Sequence, residues 1–112
     1  MKPLIELHPR WTNDFGAPPD ARQGVSFACP CCVGSGRRLA VFFANPIQGA
    51  PADVSNDGFR KRIEGRHLED HHVGAVLWQR TGETFETLTL SPSIDCSKWG
   101  HWHGMLTNGI CT

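Results

Sequence analysis

Apolar and polar positions along this chain fall into short runs set apart by turn residues, a spacing that predicts strands. Gly24-Val25-Ser26-Phe27-Ala28 reads as a strand that runs directly into a group of cysteines. Arg38 to Ala44 is almost continuously apolar, the pattern of a central strand buried on both faces, and Asn45-Pro46 ends it. Val73 to Arg80 predicts a strand carrying Trp78. Thr84 to Leu90, with alternating threonines, predicts another, closed by Ser91-Pro92-Ser93. His101 to Thr107 makes a fifth, followed by Asn108-Gly109, the strongest hairpin signal in the chain. The residues after that turn are too few for more than a stub of a return strand. The expected fold is a small, mostly β single domain of about five short strands.

Two stretches lack such a pattern. Residues 1–23 are interrupted by Pro3, Pro9, Gly16 and Pro18-Pro19, which predicts an extended, proline-rich N-terminal arm ahead of a domain at 24–112. Residues 46–72 read as a variable loop, with one or two turns of helix over Phe59–His72 weakened by Gly65. If the arm is a docking element, removing residues 1–20 leaves the domain folded.

Composition narrows the function classes. At 112 residues the chain suits one domain, whose core hides roughly two thirds of the unfolded surface. Eleven basic residues balance eleven acidic ones, so the basic surplus of a nucleic-acid binder is absent. The local run Arg60-Lys61-Arg62, with Arg66, is followed by Glu69 and Asp70 and reads as a solvated loop. No stretch approaches the roughly twenty apolar residues of a membrane span, and the first residues do not resemble a signal peptide. Five cysteines, three of them within four positions, do not form a disulfide framework. They suit a reducing cytosol, where thiols are free to bind metal.

The candidate chemistry lies in two clusters. Cys29-Pro30-Cys31-Cys32 offers two thiolates at C-x-x-C spacing, and proline holds the turn between them. Gly100-His101-Trp102-His103-Gly104 offers two imidazoles which, on a strand, would face one side. Cys29, Cys32, His101 and His103 together give the Cys2His2 count of a tetrahedral structural zinc site, a zinc-ribbon-like arrangement. Cys31 is an alternative to Cys32, and Cys96 to His101, while Cys111 reads as incidental. His67, His71 and His72 form a second group, which reads as an exposed face beside Glu69 and Asp70. A catalytic zinc would instead keep three protein ligands, with Asp95 or Glu86 as general base, but no motif such as H-E-x-x-H supports it.

Several segments occur in the same order in a family that the chain resembles. They are Val25-Ser26-Phe27-Ala28-Cys29-Pro30-Cys31-Cys32, Asn45-Pro46-Ile47-Gln48-Gly49, Thr81 to Ile94 (TGETFETLTLSPSI) and His101 to Gly109 (HWHGMLTNG). The family comprises small phage and prophage proteins of unknown function, some labelled as ammonia monooxygenase. The resemblance runs from about residue 24 onward, and His8-Pro9-Arg10 is similar as well. It implies phage origin, a compact zinc-type domain and no assigned reaction. It also implies Cys29 and His103 as ligands and leaves His101 against Cys96 open. Copper or iron oxygen chemistry would want several histidines or a 2-His-1-carboxylate face, and only His101 and His103 are placed for that. The expected function is a non-catalytic, zinc-stabilised interaction or structural module of a phage. Its partner would be a protein, met in the host cytoplasm or in a virion. The alternatives are a zinc-dependent hydrolase and a host-directed inhibitor.

Overall fold

The computed structural model describes residues 1–13, 16–52, 72–97 and 100–112. The strands in chain order are β1 (Lys2–Pro3), β2 (Arg10–Thr12), β3 (Gly24–Ala28), β4 (Arg38–Phe43), β5 (His72–Thr81), β6 (Thr89–Asp95), β7 (His103–Thr107) and β8 (Ile110–Cys111), with a short 3-10 helix at Leu4–Leu7. They form one eight-stranded sheet in the order β1-β8-β7-β6-β5-β4-β3-β2. Every neighbouring pair is antiparallel except β4 and β5, which run parallel. None of the described residues forms a helix long and apolar enough to cross a membrane. The mostly β class agrees with the pattern of the sequence, but the strands number eight rather than about five.

Two of the three additional strands come from the stretch expected to be an arm, and the third, β8, is the stub after Asn108-Gly109. β1 pairs with β8 at one edge of the sheet and β2 with β3 at the other, so residues 2–12 belong to the domain. Their prolines hid this, because strands of two or three residues are too short to show a period of two. Only residues 4–9 join β1 to β2. Fully extended, such a link spans about 25 Å at most, whereas the outer strands of a flat eight-stranded sheet stand about 34 Å apart. The sheet must therefore curl until its edges approach. Leu4 and Leu7, at 0% and 1% exposure, plug the resulting gap with the turn of helix between them.

The curl brings one sheet face inward. Val25 pairs with Val41 and Phe27 with Leu39 on that face, and all four are fully buried, as is Phe43. Trp11 packs edge-on against Phe43 and stacks on Phe85. On the opposite face, Ala40 and Phe42 are buried under Ala52 and Leu77. β4 is thus covered on both sides, as its continuous apolar run predicts.

Elsewhere the strand boundaries differ from the sequence pattern. Residues 84–87 form a turn, in which the Thr87 amide donates to the Thr84 carbonyl and the two threonine hydroxyls meet at 2.9 Å. Hydroxyl bonds of this kind compete with a strand ladder. β6 therefore starts later and runs through Ser91-Pro92-Ser93, where its register to β7 shifts between Leu90 and Ile94. Proline is tolerated there because an irregular stretch needs no ladder donor. The Pro92 carbonyl accepts the indole N–H of the buried Trp78 at 3.0 Å. Asn108 and Gly109 both have positive φ (46° and 73°), the backbone of a type I′ turn, and join β7 to β8. The Gly109 carbonyl also accepts the Leu4 amide at 2.7 Å, tying the hairpin to the helical plug. The expected loop is irregular over residues 46–52, and β5 begins at His72. The helix expected over Phe59–His72 otherwise lies outside the described residues, as do His67 and His71.

Truncation of residues 1–12 is expected to abolish the cooperative thermal melt, contrary to the behaviour of a free arm. Leu4→Ala alone should lower stability in urea by about 2–5 kcal/mol, the usual cost of emptying a fully buried leucine site. A truncated chain that still melts cooperatively would make the plug dispensable.

Candidate metal centre

β3 delivers the first part of the site. At its end the Cys29 amide donates to the Arg37 carbonyl, the Cys32 amide to the Cys29 carbonyl and the Ser35 amide to the Cys32 carbonyl, each at 3.1 Å. These bonds wind Cys29–Ser35 into a tight knuckle. Its sulfurs converge, with 3.3 Å between the Sγ atoms of Cys29 and Cys31.

The second part is the loop between β6 and β7. The Cys96 amide donates to the Trp102 carbonyl and the His101 amide to the Cys96 carbonyl, so the loop closes on Cys96. His101 lies before β7 rather than within it. Its Nδ1 approaches the Sγ atoms of Cys31 and Cys32 at 3.5 and 3.7 Å. Trp102 turns inward, edge-on to Phe27, and its ring covers Gly104. A Cβ on Gly104 would stand 2.5 Å from that ring, so only glycine fits beneath it.

Cys29, Cys31, Cys32 and His101 bring one ligand atom each to a group in which all four lie within 4.8 Å of one another, a set that could hold a metal ion. Among the described residues this is the one such group. Cys29, Cys32 and His101 are therefore brought together and Cys31 completes the four, whereas His103 lies apart. The i, i+2 rule that would pair His101 with His103 requires strand backbone at both positions, and the bonds to Cys96 remove it at His101. His103 is exposed on β7, its Nε2 3.3 Å from the Ser93 hydroxyl and its Nδ1 4.0 Å from Asp95. The signal for Cys31 was already present in the sequence: three sulfurs in four residues, of which a C-x-x-C reading uses two.

Protonation differs among the thiols. Cys31 is exposed as a residue, yet its thiol is pushed up to about 12, first by desolvation and then by hydrogen bonds to Cys29 and Cys32. At Cys32 desolvation acts the same way, but bonds with Ser35 and the neighbouring thiols and the charge of Arg37 outweigh it, so its thiol lies below the ordinary range. Burial, then nearby Cys29 and Asp95, raise Cys96 to about 12, and burial raises Cys111 to about 11. Both are neutral core residues, Cys96 fully buried beside the site and Cys111 on β8. Asp95 accepts both the amide and the hydroxyl of Ser97, which hold its carboxyl below the usual range. Glu86 is exposed in the loop before Leu88. Neither carboxylate belongs to the four-ligand group.

No family model matches the chain, and no curated protein or solved structure is significantly similar to it.

Titration with cobalt(II), followed by its thiolate charge-transfer band, separates the two histidines. His101→Ala should weaken binding by roughly 100-fold or more, beyond the usual effect of losing an outer-shell partner. His103→Ala should leave it unchanged. Each thiol must lose its proton to ligate, so affinity should fall as pH is lowered. Equal losses in both variants would place the ion elsewhere.

Proposed function

We propose that the chain is a non-catalytic interaction module whose β domain is locked by one zinc ion on Cys29, Cys31, Cys32 and His101. The spacing of the donor atoms carries this reading. A tetrahedral zinc, with bonds of about 2.3 Å to sulfur and about 2.0–2.1 Å to nitrogen, sets its sulfurs about 3.8 Å apart and sulfur from nitrogen about 3.5 Å apart. The corresponding distances here are 3.3 Å between Cys29 and Cys31, 3.5 Å between Cys31 and His101 and 3.7 Å between Cys32 and His101. Three thiolates and an imidazole are a soft donor set suited to zinc.

Four protein ligands fill a tetrahedral shell, the arrangement of a structural ion, whereas a catalytic zinc keeps one position open. The candidate base Asp95 is occupied by Ser97. The setting we propose is the one implied by the sequence resemblance, a phage product that acts by binding a protein in the particle or in the host cell.

Elemental analysis of purified protein, with thermal melts before and after chelation, tests the zinc lock. One zinc per chain and loss of the cooperative melt on chelation are expected, since structural zinc contributes on the order of 10 kcal/mol at neutral pH. Cys29→Ser should have the same effect as chelation. Zinc that leaves with the melt intact, or a metal-free protein that melts cooperatively, would overturn this reading.

A further inference from the structure

Beside the knuckle, on the outer face of β2, β3 and β4, lies a recess of about 360 Å³. Its lining includes His8, Arg10, Arg37, Arg38 and part of the Val33–Gly36 turn. The strand register explains why the arginines converge. Arg10 stands opposite Ser26 and Arg38 opposite Ala28, and Ser26 and Ala28 share a face of β3. Arg10 and Arg38 therefore rise from that same face, away from the core.

Arg38 is held firmly. Its Nε donates to the Ser26 hydroxyl at 2.9 Å, and its Nη2 to the carbonyls of His8 at 2.7 Å and Ser26 at 2.9 Å. Both hydrogens of Nη1 are left without an acceptor among the described residues. No carboxylate of the described residues pairs with Arg10, Arg37 or Arg38. Desolvation, followed by the charge of Arg10, lowers the pKa of Arg38, so the guanidiniums repel one another across the recess. An oxyanion relieves that repulsion, and guanidinium forks match its geometry.

We propose that this recess binds a small phosphate-type dianion, a phosphomonoester. Three guanidiniums around one cavity favour a doubly charged group over a single carboxylate. The volume is at the small end of small-molecule sites. A nucleic-acid strand is disfavoured because the chain's net charge is zero, leaving no basic surplus to follow a backbone. Arg10 and Arg38 reach the recess from strands, whereas Arg37 and the Val33–Gly36 turn reach it from the cysteine knuckle, so the proposal rests on the knuckle's fold and not on the identity of the ion there.

Calorimetric titration of the full chain with inorganic phosphate at constant ionic strength tests it, with a short single-stranded oligonucleotide as a second probe. Saturable 1:1 binding of phosphate is expected. Arg10→Gln and Arg37→Gln should each weaken binding roughly tenfold, the usual effect of removing one charged donor, and Arg10→Gln, at an exposed position away from the cysteines, should leave the melting of the phosphate-free protein unchanged. Lys2→Gln, which removes the same charge on β1, should not alter it. Absence of saturable phosphate binding, equal effects of all three substitutions, or tighter binding of the oligonucleotide than of phosphate would overturn the proposal.

Discussion

The architecture depends on the shortness of the link between β1 and β2. Residues 4–9 must connect opposite edges of one sheet, and a flat sheet puts those edges out of reach. Curling follows, and with it an enclosed inner face on which Val25, Phe27, Leu39, Val41 and Phe43 lose contact with water. Leu4 and Leu7 then serve two ends at once. They fill the space that the curl leaves and keep the link compact.

The cysteine knuckle and the His101 loop belong to strands that are not neighbours in the sheet: β3 on one side, β6 and β7 on the other. Only the curl brings them face to face. The four-ligand group thus acts across the fold, and an ion there would cross-link the two halves of the sheet where no backbone ladder joins them. Trp102 reinforces the same junction, because it packs on Phe27 while its neighbour His101 turns to the sulfurs.

Much of this was legible in the sequence because its signals are local. The apolar run of β4, the strand leading into the cysteines and the Asn108-Gly109 turn each announce themselves within a few residues. Proline marks a strand end and alternating threonines a strand by default, so the sequence pattern misplaces both the irregular stretch around Pro92 and the Thr84–Thr87 turn. β1 and β2 were illegible, because strands of two and three residues gain their stability from partners far away in sequence. In the site, the cysteine cluster and His101 were visible, but the choice between His103 and Cys31 was not. That choice depends on where a strand begins, which Cys96 decides through two backbone bonds.

The pairing of β1 with β8 imposes an order on synthesis. Lys2 and Pro3 leave the ribosome more than a hundred residues before their partners Ile110 and Cys111. Until β8 has been made the first edge of the sheet has nothing to pair with, and Leu4 and Leu7 have no gap to fill. Such high contact order slows folding. The β1 edge of the sheet therefore closes late, after the strands between β1 and β8 have been made.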